Sequence, residues 1–479
     1  MRVGRRHRRS GGGGDERKTC DQSFHSRHPR GRICGCRERR YPSRPRRWRP
    51  CSVSARPTPV AAVQTRAHDR ADFVKRWPEL LARIAAAAEA GAKLIVVPEG
   101  TVPAYVIGTD PIDPQQIEDA ARDVIAVASR TGATVVYGGA RPGEHGLANS
   151  AYVVTRDGIA GHADKCFLWH FDRRWFAAGD ALEPVDTPVG RLGVFICADG
   201  RIPTIAAALT DKGAEVLVVP TAWVTSGRDP HALENLQADL MIAVRARENG
   251  LPLVVANKSG VEARSVAYCG KSQIIAADGS PVAIAPQDAE TTLTGTIAIG
   301  PPALPRHGAP ASPARGSGSA LPAVLRVAIA ARYEAALHQT GAMADAELVL
   351  DPRARPSSDE IALVEDESVL DPRALVGARL DGVRLFVWHA SIEASWVAPY
   401  ARTRAAELRA YVVVFDTPRR RAFAVDPDGT IVCGTFGAFE LAAFTFERAR
   451  TDAWRVAPAT DVRDGLVRVG RITTPLVTP

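Results

Sequence analysis

The stretch GRLGVFICADGRIPTIAAALTDKGAEVLVVPTAW, residues 190–223, decides the fold of this chain. Two short apolar runs, Leu192–Ile196 and Val216–Val219, have the length of buried strands. Between them, Gly200 and Pro203 break the pattern, and the following residues 205–209 have the pattern of a helix. The stretch therefore predicts a strand, a sharp turn, a helix and a second strand, with one thiol at the turn.

That thiol, Cys197, allows two interpretations. A cysteine at such a turn lies near a helix N-terminus, whose partial positive charge favours the thiolate, the form that acts as a nucleophile. A buried structural cysteine is the common alternative. The stretch alone leaves both open.

The composition is that of a soluble globular protein with two or three domains, since 46% of the 479 residues are hydrophobic and 24% are charged. No apolar run approaches the roughly 18 residues of a membrane span, so we expect no membrane partner. The four cysteines of the body, Cys166, Cys197, Cys269 and Cys433, are scattered. Scattered single cysteines favour a reducing cytoplasm over a disulfide framework.

The charge is unevenly distributed. Residues 1–56 contain 18 Lys or Arg and 4 Asp or Glu, a net charge of +14, so the rest of the chain carries −6. We therefore expect no nucleic-acid partner for the folded body.

The basic segment 1–56 is nearly free of Val, Ile and Leu, which predicts disorder. It could bind nucleic acid or an anionic surface through its arginines. It could hold a metal, although the Cys34-Gly-Cys36 spacing is unlike ordinary zinc pairs. It could be a targeting peptide, although no apolar region follows its first arginines. Our preferred interpretation is a translated upstream region, with the true start near Val53 or Val60.

Strands alternate with helices over residues 57–299, which predicts an α/β domain. Residues 300–320, GPPALPRHGAPASPARGSGSA, are rich in Pro, Gly, Ser and Ala and predict a linker. Residues 321–479 then form a further, smaller α/β region.

Three reactive side chains follow strands of the first region. Glu99 and Cys197 each end an apolar run, and Lys165 lies in a loop just after a strand and turn. Reactive groups of α/β folds gather at the carboxyl ends of strands. Taken singly, a strand-end Glu or a loop Lys is most often a solvated surface residue. Only the occurrence of all three residues together indicates a catalytic site.

The order and local texture of these three residues resemble the nitrilase (carbon–nitrogen hydrolase) superfamily over residues 59 to about 298. The matching motifs, in chain order, are VVPEG around Glu99, DKCFLW after Asp164, FDRRWFAAGD, GRLGVFICADGRIP around Cys197, GAEVLVVPTAW, VRARENGLPLVVANKSG and YCGKSQIIAADG. The resemblance implies a four-layer α-β-β-α sandwich whose subunits pair through helical faces. It implies no cofactor and no metal.

The resemblance also implies a catalytic triad. Cys197 would be the nucleophile that forms a thioester, and Glu99 would take the thiol proton and later activate water. Lys165 would stabilise the oxyanion with the backbone N–H of Ala198. Lys165 is also expected to favour the ionised thiol and carboxylate.

Supporting residues are less specific. Asp172 stands where the family usually has an additional Glu, so its role is open, and the alternative is a salt bridge to Arg173 or Arg174. Asp199 and Arg201 either shape the pocket or form an internal salt bridge. Trp223, with Tyr105 and Trp169, either lines the pocket or packs in the core.

The resemblance favours a small amide or N-carbamoyl amine as the substrate, with water as co-substrate. Nitrile-hydrolysing branches typically have Trp-Glu after the cysteine, whereas this chain has Ala198-Asp199. A nitrilase and a non-catalytic regulatory or binding protein remain the alternatives. The chain is expected to form a homo-oligomer or to pair its two halves intramolecularly.

Residues 321–479 resemble a degenerate second copy of the first region. ADAELVLDPRA (344–354) parallels AGAKLIVVPEG (90–100), which puts Arg353 at the position of Glu99. DGVRLFVWHAS (381–391) parallels the Cys197 strand and puts His389 at the position of Cys197, and Glu407 matches Glu248. The Lys165 segment is missing, so this copy should be inert. The alternative is an unrelated α/β domain with chance similarity.

Overall fold

The computed structural model describes residues 55–225, 235–302, 312–332, 345–435 and 440–473. Almost all of the basic segment 1–56 lies outside these ranges, so its predicted disorder stays a prediction. We refer to residues 55–302 as the first half and to residues 312–473 as the second half. Each described helix is too short or too polar to cross a lipid bilayer.

The first half contains two sheets. The strands of the first sheet are β1 (Arg56–Arg66), β2 (Leu94–Val96), β3 (Thr134–Gly143), β4 (Gly146–Thr155), β5 (Gly158–Asp164), β10 (Lys258–Glu262), β11 (Val266–Cys269) and β14 (Thr291–Ile299). Their order is β11-β10-β1-β2-β3-β4-β5, with β14 also paired to β1. The second sheet has the order β13-β12-β9-β8-β7-β6, formed by β6 (Val185–Thr187), β7 (Gly190–Val194), β8 (Val216–Pro220), β9 (Leu253–Ala256), β12 (Gln273–Ile275) and β13 (Pro281–Ile284).

The alternation of side chains along β1 explains how the layers stack. Ala61 and Val63 pack with helices α1 (Phe73–Glu89) and α2 (Pro114–Thr131) on the outer face of the first sheet. Val60 and Ala62 point the other way and join the core shared with the second sheet.

Helices α3 (Pro203–Asp211) and α4 (Ile242–Asn249) contribute to the core on the side of the second sheet, with a π-helical turn, Gln237–Met241, leading directly into α4. The predicted α-β-β-α sandwich and the predicted strand, turn, helix and strand around Cys197 are both confirmed.

The second half is a smaller α/β region, as expected. Its larger sheet has the order β15-β18-β19-β20-β21-β22 and its smaller sheet the order β17-β16-β23. The strands are β15 (Ala314–Arg315), β16 (Val324–Ala330), β17 (Leu348–Leu350), β18 (Ile361–Val364), β19 (Leu385–Ala390), β20 (Tyr411–Asp416), β21 (Arg421–Val425), β22 (Ile431–Gly434) and β23 (Leu441–Glu447), with a separate hairpin of β24 (Arg455–Ala457) and β25 (Thr460–Asp461).

The helices of the second half lie partly between the two halves. Those within the described residues are α5 (Asp366–Leu370), α6 (Arg373–Leu380), α7 (Ala394–Leu408), α8 (Arg448–Asp452) and α9 (Val462–Thr473). Val397 and Ala401 of α7 belong to the same buried core as Val244 of α4. The predicted linker 300–320 also contains a structured element, because Ala314–Arg315 pairs antiparallel with β18.

Gly138 of β3 lets the loop after β2, which carries Glu99, pack directly against the β3 backbone. A Cβ added at Gly138 would lie 2.4 Å from the Cα of Glu99 and 2.6 Å from the carbonyl oxygen of Pro98. Real Cβ atoms do not approach backbone this closely, so any side chain here must displace the loop that carries Glu99.

We predict that Gly138→Ala destabilises the protein by about 1–3 kcal/mol, as overpacking of a dense core does. Chemical denaturation followed by circular dichroism measures the free energy of unfolding. Gly470→Ala is the control: Gly470 lies in α9 with nothing within 4 Å of an added Cβ. There alanine should be neutral or stabilise by up to about 1 kcal/mol. Equal stability of Gly138→Ala and the native protein would contradict the prediction.

Candidate active site

The three side chains singled out in the sequence converge at one edge of the sandwich. Glu99 follows β2, Lys165 follows β5 and Cys197 follows β7. The Nζ of Lys165 donates a hydrogen bond of 2.7 Å to Oε1 of Glu99. Both Lys165 and Glu99 shift the pKa of the Cys197 thiol electrostatically, so all three groups share one site.

Lys165 is completely buried between two carboxylates. Besides Glu99, its Nζ donates to Oδ2 of Asp172 at 2.5 Å, and all three side chains are 0% exposed. Burial alone would lower the pKa of Lys165, but the charges of Asp172 and Glu99 outweigh it and hold the pKa well above its ordinary value. The charged form of Lys165 is therefore favoured in this site.

Asp172 is thus a partner of Lys165, and not of its neighbours Arg173 and Arg174. Its Oδ2 also accepts a hydrogen bond of 2.9 Å from the backbone N–H of Trp169. Its Oδ1 is buried without a hydrogen-bond partner among the described residues. Asp172 therefore belongs to the same buried charged group as Lys165 and Glu99.

Glu99 has one saturated and one unsatisfied oxygen. Oε1 accepts from Lys165 and, at 2.7 Å, from the side-chain amide of Asn149. Oε2 is buried and has no hydrogen-bond partner within the described ranges. Burial raises the pKa of Glu99, with Lys165 acting in the opposite direction. The carboxylate is therefore a stronger base than an exposed one.

Cys197 begins a 3-10 helix, Cys197–Arg201, in a left-handed backbone conformation with φ +49°. Such a conformation is uncommon for a residue with a side chain and is typical of functional turns. The side chain is 5% exposed.

The expected thiolate is not supported. Burial and the Glu99 carboxylate raise the pKa of Cys197 to about 12, although Lys165, the Thr221 side chain and the Ala222 amide oppose this. Lys165 lowers the pKa of the thiol, as predicted, but burial and the Glu99 carboxylate raise it more strongly, so the neutral thiol is favoured.

Asp199 joins the two catalytic segments. Its Oδ1 accepts from the backbone N–H groups of Cys166 (3.1 Å) and Phe167 (2.7 Å), and its Oδ2 accepts from that of Ile196 (3.0 Å). Burial raises its pKa to about 7, while the donors Ile196 and Phe167 act in the opposite direction. Asp199 therefore connects the Lys165 loop to the Cys197 turn, and it forms no salt bridge among the described residues. Its role in shaping the pocket stays a prediction.

Arg201 stacks on an aromatic ring. Its guanidinium carbon lies 5.1 Å from the centre of the Trp169 ring. Its Nε is buried without a hydrogen-bond partner, and the described residues provide no carboxylate within ion-pair distance. Burial lowers its pKa to about 10. An internal salt bridge is therefore not formed in the described part of the chain.

The remaining predicted residues are all buried. Ala198 is buried and follows Cys197 at the first turn of the 3-10 helix, where backbone N–H groups lack intrahelical acceptors. Trp223 is 1% exposed, and its backbone N–H donates to Oδ1 of Asn257 at 2.8 Å. Tyr105 is also buried, with its ring centre 5.8 Å from Nζ of Lys165.

Sequence reasoning missed several supporting residues. Asn149 binds Glu99 through its side chain and accepts the Lys165 backbone N–H through its carbonyl, at 2.9 Å. Gln237 donates a hydrogen bond of 2.7 Å to the Cys197 carbonyl, and Arg245 donates one of 3.0 Å to the Gly200 carbonyl. The sequence offered one sign of these supporting roles: each residue is polar but lies among apolar neighbours in its strand or helix.

Comparison with known proteins gives a consistent match. The family model for carbon-nitrogen hydrolases matches residues 59–300. A protein described as a hydrolase in the pqqF 5' region of Pseudomonas protegens is 31% identical over 43% of this chain and 72% of its own length. A probable nitrilase of Schizosaccharomyces pombe is 31% identical over 31% of this chain and 52% of its own length. An (R)-stereoselective amidase of a Pseudomonas species is 34% identical over 29% of this chain and 49% of its own length.

We predict that Asp199→Asn destabilises the protein by about 1–3 kcal/mol, because an amide N–H₂ would face one of the three backbone donors. Turnover should fall as well, since the Lys165 loop and the Cys197 turn lose a shared acceptor. Urea denaturation and steady-state rates measure the two effects.

The control is Asp186→Asn, at a side chain that is 86% exposed. Its free energy of unfolding should stay within about 0.5 kcal/mol of the native value. The role of Asp199 would be refuted if both variants behaved alike.

Proposed function

Because this chain belongs to the carbon–nitrogen hydrolase family, we propose that it is a thiol amidohydrolase that cleaves the carbon–nitrogen bond of a small amide or N-carbamoyl amine. The observation that carries the proposal is the buried Lys165 ammonium, bonded to Glu99 and Asp172 next to Cys197. Catalytic roles for Glu99, Lys165 and Cys197 are part of this proposal.

In the first step, Sγ of Cys197 attacks the carbonyl carbon of the substrate. The thiol is protonated at rest, since its pKa is about 12, so its proton must leave as the C–S bond forms. Oε2 of Glu99 is the acceptor, because Oε1 is already occupied by Lys165 and Asn149. A carboxylate with a raised pKa is suited to this role as a general base.

The carbonyl oxygen becomes negatively charged in the tetrahedral intermediate. An ammonium group has three N–H donors, and Lys165 uses two of them on Glu99 and Asp172. The third would bind the oxyanion, with the Ala198 backbone N–H as the second donor. Because Lys165 is fixed on both sides, it needs little reorganisation as the charge develops.

Collapse of the intermediate breaks the C–N bond. Glu99 returns its proton to the nitrogen, and ammonia or an amine leaves, while the acyl group stays on Sγ as a thioester. In the second step Glu99 takes a proton from water, the hydroxyl attacks the thioester, and the proton passes to Sγ as the acid leaves. No cofactor is needed for either step.

Amides are preferred over nitriles as substrates. The residues after Cys197 are Ala198 and Asp199, in place of the Trp-Glu that the family resemblance associates with nitriles. The similarity to an amidase supports this choice, and the similarity to a probable nitrilase makes nitriles the second candidate. A reducing, cytoplasmic location is proposed on the free thiols of Cys166, Cys197, Cys269 and Cys433.

We predict that a panel of short amides, N-carbamoyl amines and nitriles yields ammonia from the first two classes. Cys197→Ser should lower kcat by at least about 10³-fold while circular dichroism and the melting temperature stay native. Mass spectrometry should detect a substrate-derived acyl adduct on the native protein.

Cys269→Ser is the matched control, since Cys269 is equally buried but lies outside the triad. It should retain the acyl adduct and most of the activity. Ammonia from nitriles alone would overturn the substrate class, and full activity of Cys197→Ser would overturn the nucleophile.

The pH dependence tests the order of proton transfer. We predict that kcat/KM falls as the pH drops through the raised pKa of Glu99, because a protonated carboxyl cannot accept the thiol proton. No increase of the rate is expected near pH 9, the ordinary pKa of a cysteine, because the thiol remains protonated up to about 12. Rates measured from pH 4 to 10 would contradict this order of events if they rose with a midpoint near 9.

A further inference from the structure

Four buried charged residues connect the two halves in a reciprocal pattern. Arg245 and Glu248 lie on α4, and Arg404 and Glu407 lie on α7, each pair three residues apart. Arg245 binds Glu248 (2.8 Å) and reaches across to Glu407, while Arg404 binds Glu407 (2.6 Å) and reaches across to Glu248 (2.5 Å). We call these four residues the charge cluster.

The reciprocity extends to the backbone. Nε of Arg245 donates to the carbonyl of Gly200 at 3.0 Å, and Nε of Arg404 donates to the carbonyl of Val369 at 2.8 Å. Helices α4 and α7 thus make equivalent contacts: each binds a carboxylate of the other helix and a backbone carbonyl of its own half. This is the pattern of an isologous interface, in which identical surfaces meet about a two-fold axis.

The sheets of the two halves have matching topology. Each half has a six-stranded sheet in which three parallel strands are flanked by antiparallel strands. The orders are β13-β12-β9-β8-β7-β6 and β22-β21-β20-β19-β18-β15. In each half, another sheet pairs one strand in parallel on one side and antiparallel on the other: β1 with β2 and β14, and β16 with β17 and β23. An irregularity even recurs at the same place, between Ile274 and Ile275 and between Ala424 and Val425.

The hydrogen-bond registers give a residue-by-residue match. Leu192 pairs with Val216 in the first half, and Ile361 pairs with Leu385 in the second. Counting on from Leu192 and Ile361, Gly200 matches Val369, the two carbonyls that the arginines bind, and Cys197 matches Asp366. The sequence-based match of Cys197 to His389 is therefore wrong, because His389 lies at the end of β19, which matches β8.

We propose that the second half is an inactive copy of the first, fused in the position of a second subunit, and that it positions the Cys197 turn through the contact of Glu407 with Arg245. The match of Arg353 to Glu99 and of Asp366 to Cys197 leaves this copy without the proposed base and nucleophile. The positioning role rests on the proposed function of Cys197.

The path from the second half to the thiol is short. Glu407 and Glu248 fix the guanidinium of Arg245, which holds the Gly200 carbonyl in the 3-10 helix that begins at Cys197. Gln237 of the π-helical turn before α4 holds the Cys197 carbonyl itself. A displacement of α4 would therefore move both carbonyls of the turn. Arg245 and Glu407 are positioning residues, since neither reaches the reacting atoms.

The approximate two-fold symmetry provides a matched pair of variants. Arg245→Lys and Arg404→Lys each remove one guanidinium from the same charge cluster, and each loses one bond to a carbonyl. Their effects on the melting temperature should be similar. Only the carbonyl of Gly200 lies next to a nucleophile, however, because the second half has Asp366 in place of Cys197.

The experiment compares the full-length native protein with both variants. We expect Arg245→Lys to lower kcat and the rate of Cys197 alkylation by iodoacetamide about 10- to 100-fold, as displacement of a reacting group does. Arg404→Lys should lower both rates clearly less than Arg245→Lys does, because the guanidinium of Arg404 binds the carbonyl of Val369 and not a carbonyl of the Cys197 turn. Glu407→Asp keeps the charge but shortens its reach to Arg245, and it should lower both rates by an intermediate factor with little change in KM.

The positioning role would be overturned if Arg245→Lys and Arg404→Lys had equal turnover and alkylation rates. This holds whether both variants are slow or both match the native protein. If Arg245→Lys does not fold, Glu407→Asp decides, and native alkylation and turnover of that variant would overturn the proposal. Alkylation needs no substrate, so it tests the positioning of Cys197 even if the proposed substrate class is wrong. Absence of a substrate-derived acyl adduct on Cys197 in the native protein would count against the proposed function instead.

Discussion

The site depends on one buried ammonium. A charge removed from water costs several kcal/mol unless partners compensate it, so Lys165 requires both Glu99 and Asp172. Lys165 and Asp172 lie seven residues apart in the segment between β5 and β6, whereas Glu99 follows β2. The sandwich must bring these two segments to one edge before the charge is satisfied. The same cation that links the loops is a ready donor for a developing negative charge.

Individual hydrogen bonds hold the segments around Lys165 in place. Asn149 holds the Glu99 carboxylate and the Lys165 backbone together, and Asp199 joins the Lys165 loop to the Cys197 turn. The second half adds contacts from outside: Thr460 accepts a hydrogen bond from the His170 backbone N–H, and Arg468 donates to the Gly179 carbonyl. Gly179 in turn donates its N–H to the Lys165 carbonyl at 2.8 Å. The loop that carries Lys165 is therefore braced from both halves.

The sequence predicted the sandwich and the convergence of Glu99, Lys165 and Cys197, because strand length and strand-end position are local features of the chain. It could not reveal Asn149 or Arg245, whose partners depend on pairings between distant segments. It misjudged the thiol, since burial and the nearby Glu99 carboxylate exist only in the folded protein. Under the proposed match of the two halves, the sequence also misplaced His389, because β18 and β19 are both short apolar strands and only the hydrogen-bond register distinguishes them.

The charge cluster has a consequence for how this molecule can change. In a symmetric homodimer a single codon specifies both sides of the interface, so every substitution appears twice across the axis. Here Arg245 and Arg404 are encoded separately, and so are Glu248 and Glu407. Either side can therefore mutate alone, and asymmetry can accumulate. Gly250 and Arg409, which end α4 and α7 in the same left-handed conformation, already differ in this way.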